Sequence, residues 1–229
     1  MRSAILSVLL GCYPDAIAPG RLVAAAGHFE MRESAVRAAL TRGVASGDLE
    51  RTEHGYRIGT RLRARHARQA EAVAPDPQPW DGSWETAFVV AAARTASDRA
   101  ALRGLLTEHR LAELREGVWL RPANLSRTPA YQSHPDLTTC ESRHPDPALL
   151  AGQLWDLDGW SATARRLVSE LEKTKNPVSR LTVAAALVRH LRTDPILPPS
   201  LLPSDWAGDE LRTVYAAYQA ELRSLAELG

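Results

Sequence analysis

The chain has 229 residues, of which 45% are hydrophobic and 24% charged, the composition of a water-soluble globular protein with two or three small domains. Its two cysteines, Cys12 and Cys140, are too few for a disulfide framework, and no apolar run approaches the roughly 20 residues that cross a bilayer, so we expect a cytoplasmic protein with no membrane partner. The formal net charge is +1, but residues 1–72 hold 11 arginines against seven acidic residues, which indicates that the N-terminal third meets a polyanion.

The N-terminal third shows the periodicity of three helices followed by a hairpin. Apolar residues at helical spacing predict helices over residues 3–12, 19–27 and 32–45, with Pro19 in the first turn of the second. In the third helix Val36, Leu40 and Val44 are four residues apart, and we expect them on its inner face. Residues 48–58 have the pattern of a hairpin with His54 and Gly55 in its turn.

Helix, helix, short turn, helix and two-stranded ribbon is the order of elements in a winged helix-turn-helix, whose third helix enters the major groove of DNA. With its apolar face turned inward, this helix presents polar and basic side chains of the types that contact bases and phosphates. The residues that we expect to contact DNA share an outward position on the third helix or on the hairpin: Ser34, Arg37, Thr41, Arg42, Arg51, His54 and Arg57. The alternative is that they are ordinary solvated side chains.

Four arginines follow the hairpin within residues 61–73, a segment that we expect to be a connecting helix: Arg61, Arg63, Arg65 and Arg68. Two interpretations stay open for them: these arginines contact the phosphates of a nucleic acid, or they are ordinary solvent-exposed side chains of a linker helix. Pro75, Pro77 and Pro79 then mark a stiff boundary before Trp80.

The rest of the chain predicts a small sheet domain and then helices. Residues 84–93 have a strand-like composition, residues 98–109 an amphipathic helical pattern, and residues 111–115 and 118–121 the pattern of two short strands, with a further strand at 137–141. This β-α-β-β order fits an α+β domain of ferredoxin-like type. Helices follow at 148–154, 159–175, 177–192 and 208–228, so we expect domains over residues 1–60, 80–146 and 147–229, with a basic linker over residues 61–79.

Several short blocks of sequence, taken in order, resemble the PaaX family, whose members repress phenylacetic-acid degradation genes. They are AVRAALTR at residues 35–42, WDGSW at 80–84, GVWLRP at 117–122, and Asp194-Pro195, Leu197-Pro198 and LLPSDWAG up to residue 208. The resemblance implies a winged helix-turn-helix, a ferredoxin-like middle domain similar to Cas2 proteins, and a helical C-terminal domain. It also implies a homodimer that binds a double-stranded DNA operator and releases it when a small effector binds.

In the branch that gives the family its name, the effector is phenylacetyl-coenzyme A. An acyl-coenzyme A needs an apolar slot for its acyl group and cations for its phosphates. The residues that we expect to supply these are tryptophans and arginines of the middle and C-terminal parts: Trp84, Arg94, Trp119, Arg121, Trp155 and Arg165. The alternative is that the tryptophans are plain core residues. Whether the protein represses or activates stays open.

Enzymatic activity is not expected. The similarity to Cas2 raises the possibility of a metal-dependent nuclease, which needs a carboxylate at the end of the first strand, but here Arg94 follows that strand and no acid comes before Asp98. His134, Cys140 and His144 lie close together, yet their spacing matches no zinc pattern, so no metal or other cofactor is expected. A regulator that binds partner proteins and has weak DNA affinity is the second interpretation.

Overall fold

The computed structural model describes residues 2–90 and 95–228, with the side chains of residues 2, 3, 64, 65, 68 and 228 left out. Within them the helices are α1 (Arg2–Gly11), α2 (Pro19–Gly27), α3 (Glu33–Ala45), α4 (Thr60–Val73), α5 (Ala96–Glu108), α6 (Pro147–Leu154), α7 (Leu157–Lys173), α8 (Pro177–Leu191) and α9 (Gly208–Leu228). The strands are β1 (Leu49–Thr52), β2 (Gly55–Ile58), β3 (Ser83–Val89), β4 (Ala112–Arg115), β5 (Val118–Pro122) and β6 (Leu137–Arg143). The predicted helices and strands are confirmed, and most of their ends move by only one or two residues.

The chain forms two compact units. The first, here called the helical unit, comprises Met1–Ala74, Thr163–Arg192 and Ala207–Gly229, and the second, the sheet unit, comprises Pro75–Ala162 and Thr193–Trp206. The boundary predicted at residues 146 and 147 does not coincide with an edge of either unit, because α6 and residues 193–206 pack with the sheet. The assignment of residues 1–60, 80–146 and 147–229 to separate domains stays a prediction.

In the helical unit the last helix packs against the first ones. The apolar face of α9, which includes the buried Leu211 and Leu222, contacts α1, α2 and α8. Arg223 Nε donates a hydrogen bond to the carbonyl oxygen of Gly11 at 3.1 Å, and Gln69 Nε2 on α4 donates to the Tyr215 hydroxyl at 2.9 Å. The N-terminal helices therefore share one apolar core with helices from the end of the chain.

The β1–β2 hairpin is held by a third extended residue. Ile17, between α1 and α2, pairs with Tyr56 through two backbone hydrogen bonds of 2.9 Å. Gly55 has a φ of +137°, and a Cβ there would lie 2.1 Å from the Ile17 carbonyl oxygen, so the position requires glycine. Gly55 pairs with Thr52 in the strands, which leaves Glu53 and His54 as the turn instead of the predicted His54 and Gly55.

The inner face of α3 differs from the prediction at one position. Val36 and Leu40 are buried as expected, but Val44 is 38% exposed and Gly43 takes the inner place. At 3.6 residues per turn, a residue eight positions on has rotated about 80° off the face, whereas one seven positions on has rotated only about 20°. Gly43 also allows Leu49 to approach, since a Cβ there would lie 2.7 Å from Leu49 Cδ1.

The sheet unit is built on four strands in the order β4-β5-β3-β6, joined by three antiparallel pairings. Strands β3 and β4 run parallel with β5 between them, and α5 connects them, which is the split β-α-β arrangement of ferredoxin-like domains. Trp84 and Leu120 pack on one face with α6 and Leu197, while Ala87 and Trp119 pack on the other with α5. Strand β3 ends at Val89 instead of at the predicted residue 93, and residues 91–94 lie outside the described part of the chain.

Among the helices of the described residues, none is long and apolar enough to cross a membrane.

Candidate nucleic-acid interface

The outer face of α3 carries the predicted DNA-contacting residues. Ser34, Arg37, Thr41 and Arg42 are all exposed, because Val36, Leu40 and Gly43 bury the opposite side of the helix. The Arg37 side chain is 66% exposed and pairs along the helix with Glu33, with Nη2 2.6 Å from Oε1. Arg42 has no hydrogen-bond or ion-pair partner among the residues that the structure describes. The face therefore offers one unpaired guanidinium and one held only by an exposed ion pair, which stabilises little.

On the hairpin, Arg51 and His54 are exposed but Arg57 is paired. Glu50 lies opposite Arg57 in the strand register, and its two carboxylate oxygens accept hydrogen bonds from Arg57 Nε at 3.1 Å and Nη2 at 3.0 Å. Arg63 Nη2 on α4 donates to the same carboxylate at 2.8 Å. The hydrogen bonds from Arg57, together with the nearby charge of Arg63, lower the pKa of Glu50. We call Glu50, Arg57 and Arg63 the hairpin triad; it has two cations and one anion.

The start of α4 contacts the end of α3. Arg61, whose side chain is 71% exposed, donates from Nη1 to the Ser46 carbonyl at 3.4 Å and places Nε 3.9 Å from Asp48 Oδ1. Ser46 is the residue that caps the C-terminus of α3. The side chains of Arg65 and Arg68, which sequence reasoning grouped with Arg61 and Arg63, lie outside the described part of the structure.

The tryptophans predicted to line an effector slot do not come together. Trp84 is fully buried in the cluster on one face of the sheet, and Trp119 is buried in the cluster on the opposite face, where the Arg103 guanidinium lies 5.4 Å from its ring centroid. Trp155 is half-buried against the Trp84 cluster. Trp84 and Trp119 therefore cannot line one slot, because side chains of a strand alternate between faces and the register of β3 with β5 separates these two.

Arg121 is a core residue, not a surface cation. Its Nε donates to the Pro122 carbonyl at 2.9 Å and its Nη2 to Asn124 Oδ1 at 2.7 Å, while Asn124 Nδ2 donates to the Ile196 carbonyl at 3.1 Å. Burial, with the neighbouring positive charge of Arg127, lowers the pKa of Arg121 to about 9, and the Glu85 carboxylate opposes that shift. In this structure the Arg121 guanidinium is therefore buried and held by neighbouring protein groups.

The two remaining arginines of that prediction have different outcomes. Arg165 is exposed on α7, in the helical unit, whereas Trp84, Trp119, Arg121 and Trp155 belong to the sheet unit. Arg94 lies outside the described residues. The role of these six residues in effector binding stays a prediction.

The histidines of the His134, Cys140 and His144 cluster are used within their own loops. The backbone N–H of Asp136 donates to His134 Nδ1 at 3.2 Å, and that of Asp146 donates to His144 Nδ1 at 3.1 Å. Over residues 2–90 and 95–228, no group of three or more His, Cys, Asp or Glu residues is arranged to hold a metal ion. Both histidines therefore lie in the same kind of local turn, a repeated His-Pro-Asp motif.

Sequence reasoning missed two features of the helical unit. Glu50 was not considered, although the hairpin pattern that pairs Leu49 with Ile58 already places it opposite Arg57. A cavity of about 700 Å³ lined by residues of α1, α4, α8 and α9, here called the α8 cavity, was also missed. No local pattern predicts it, because its walls come from segments far apart in the sequence.

The elements define a mixed α+β protein in which a small antiparallel sheet stands, in sequence, between helical N- and C-terminal parts. Family models match along most of it: PaaX-like protein over residues 1–65, PaaX protein central Cas2-like domain over 77–144, and PaaX-like protein C-terminal domain over 155–228. The chain belongs to the PaaX family, which confirms the resemblance seen in its sequence blocks and the Cas2-like middle domain.

Comparison with solved structures finds chains of the same fold, one of which is similar along nearly the whole chain. It is the uncharacterized protein Rv0674 from Mycobacterium tuberculosis, 42% identical, with 99% of this chain and 98% of that chain covered and a TM-score of 0.88. None of the curated proteins matches the chain.

Proposed function

We propose that this protein is a sequence-specific DNA-binding transcriptional repressor that uses α1, α2, α3 and the β1–β2 hairpin as a winged helix-turn-helix. Membership of the PaaX family, whose members are transcriptional regulators, supports regulation of transcription. The observation that carries DNA binding is the exposed face of α3, where Arg42 is unpaired among the described residues and Arg37 is held only by an exposed ion pair. The Ile17–Tyr56 pairing supports the winged form, since it fixes the hairpin beside the helices.

In the proposed complex α3 enters the major groove, and Ser34, Arg37, Thr41 and Arg42 contact base edges and phosphates. Arg51 and His54 contact the flanking backbone. Arg57 joins them only when a phosphate replaces the Glu50 carboxylate as its partner. A homodimer would present two such helices to successive major grooves of a near-palindromic operator. Because the partner is genomic DNA, the proposal entails a cytoplasmic location.

The proposal includes release by a small effector, with an aryl-acyl-coenzyme A as the first compound to test. An effector changes the affinity for DNA only by as much as its own affinity differs between the free and the DNA-bound conformations. The alternative function, a regulator that acts through partner proteins and has weak DNA affinity, is favoured only by the small side chains along α3.

The test is a mobility-shift titration of the purified protein with the DNA upstream of its own gene, over a salt series. We expect specific retardation with a steep salt dependence, because arginine–phosphate contacts release counterions. Arg37→Ala and Arg42→Ala should each weaken operator binding by about tenfold or more, the equivalent of about 1–3 kcal/mol for a base contact.

Arg166→Ala is the matched control. Arg166 on α7 is 65% exposed and pairs along its helix with Glu170, as Arg37 pairs with Glu33. Its removal should leave DNA binding and the melting temperature unchanged. Normal DNA binding by Arg37→Ala and Arg42→Ala would show that α3 does not contact the operator bases. If the wild-type protein retards no DNA specifically, the partner-binding function is favoured.

A further inference from the structure

The α8 cavity has a mixed lining of apolar, neutral polar and basic residues. Leu10 of α1, Leu181 and Val188 of α8 and further leucines supply the apolar surface. Arg61 of α4 and Arg189 and Arg192 at the end of α8 supply the positive charge. Its volume of about 700 Å³ falls within the range of small-molecule sites.

We infer that the α8 cavity binds a small organic anion that carries an apolar group of the size of an aromatic ring system, and that its binding there lowers the affinity of the protein for DNA. The ligand site rests on the geometry of the cavity, and its effect on DNA rests on the proposed function. This site differs from the one expected from the tryptophans, all of which lie in the sheet unit.

The charge of the ligand follows from the polar groups of the lining. Asp48 is the acidic residue there, and its carboxylate already accepts a hydrogen bond from Ser46 Oγ at 2.7 Å. Arg189 is exposed and has no hydrogen-bond or ion-pair partner within the described part of the chain. An anionic group can therefore pair with Arg189 without displacing another carboxylate, whereas a cationic ligand would meet three guanidinium groups.

The effect on DNA follows from Arg61. Arg61 lines the cavity, and its guanidinium binds the carbonyl of Ser46, which caps α3, and lies 3.9 Å from the Asp48 carboxylate. The backbone carbonyl oxygen of Asp48 accepts a hydrogen bond from the N–H of Gly59 at 2.7 Å, just after the hairpin. An anion that attracts Arg61 competes with the contacts that Arg61 makes to Ser46 and Asp48, and so loosens the end of α3 against the hairpin. The ligand then lowers the affinity for DNA, and DNA lowers the affinity for the ligand by the same factor.

The ligand site is tested with two probes of matched shape on the full chain. 8-Anilinonaphthalene-1-sulfonate is an aromatic anion, and N-phenyl-1-naphthylamine is its neutral counterpart. Calorimetry and fluorescence should show one sulfonate probe per chain, bound about tenfold more tightly than the neutral one, because a charge-assisted contact is added. Arg189→Ala should remove that tenfold advantage and leave the neutral probe unchanged.

A second pair of variants tests the place of binding. Ala185 lines the cavity and is half-buried, whereas the half-buried Ala186 beside it on α8 is not among the lining residues. Ala185→Phe should abolish binding of both probes, and Ala186→Phe, which adds the same bulk, should preserve it; thermal melting checks that each variant is folded. Wild-type binding by Ala185→Phe, equal affinity for the two probes, or no effect of Arg189→Ala would overturn the site.

The coupling is tested by adding the sulfonate probe to the mobility shift. We expect it to raise the apparent Kd for DNA of the wild type and of Ala186→Phe, but not of Ala185→Phe. If the wild type retards no DNA, the proposed function fails while the probe titrations still decide the ligand site. If DNA and probe both bind without affecting each other, the regulatory half of the inference is wrong.

Discussion

Replacement of Glu50 by glutamine tests whether the hairpin contacts DNA. In the hairpin triad one carboxylate holds two guanidinium groups, from Arg57 across the hairpin and from Arg63 on α4. Glu50→Gln removes the negative charge and preserves the size of the side chain. Because the arginines lower the pKa of Glu50 below its ordinary 4.5, the carboxylate stays ionised near neutral pH, and mild acidification does not mimic the substitution.

The size of the effect follows from counting charges. The triad carries a net charge of one in the wild type and of two in Glu50→Gln, so the variant has one more guanidinium to offer to a phosphate. Each phosphate neutralised on B-DNA adds about 0.9 to the slope of log affinity against log salt. The slope should therefore steepen by about one, and the gain in affinity over the wild type should be about three- to fourfold larger at 50 mM than at 200 mM salt.

The assay is a salt series of mobility shifts or fluorescence anisotropy titrations with operator and with unrelated DNA. Glu53→Gln is the matched control, since Glu53 lies in the turn of the same hairpin, is 85% exposed, and in the described part of the chain pairs with His54 at 3.6 Å and with no arginine. Because Glu53 holds no guanidinium among the described residues, its replacement frees none, and we expect little change in slope. An unchanged slope in Glu50→Gln, or an equal change in Glu53→Gln, would show that the triad does not meet the phosphate backbone.

The remaining predictions concern stability. Leu40→Ala, at a position 2% exposed, should lower the free energy of unfolding by about 2–5 kcal/mol, and Val44→Ala by less than about 1 kcal/mol; equal losses in urea titrations would contradict the inner face of α3. Arg121→Ala should cost about 3–5 kcal/mol, because it leaves buried partners without their donor, while the exposed Arg165→Ala should cost about 0.5 kcal/mol or less; similar urea midpoints would refute the core role of Arg121. Burial lowers the pKa of His66 below its ordinary 6.5. As the pH falls, His66 therefore binds a proton more readily in the unfolded chain than in the folded chain. Thermal stability should then fall from pH 7.5 to 5.5, and His66→Gln should flatten that dependence.

Helices and strands were predictable because their signals are local. Pro19 and Pro177 each lie in the first turn of a helix, and the periodicity of apolar residues gave the helices that follow. The exposure of Val44 was also within reach of the sequence, since a strict period of 3.6 residues turns it off the inner face. The outward face of α3 followed from that periodicity.

What the sequence did not reveal depends on contacts between distant segments. The faces of Trp84 and Trp119 depend on the register of β3 with β5, which pairs Ala87 with Trp119. The burial of Arg121 depends on its packing in the sheet unit, where the Ile196 carbonyl lies close to its side chain although it comes 75 residues later. The α8 cavity exists only because four helices meet, and no window of sequence contains it.

The packing of α9 on α1 and α2 bears on how the protein is made. A ribosome delivers the first three helices and the hairpin well before it delivers Gly208–Leu228, and until then the apolar surface that α9 covers stays open to water. Contacts of such long sequence separation also form late in folding, because closing a long loop costs entropy before any contact rewards it. Under the proposed function, a nascent chain that lacks α9 should therefore not bind the operator.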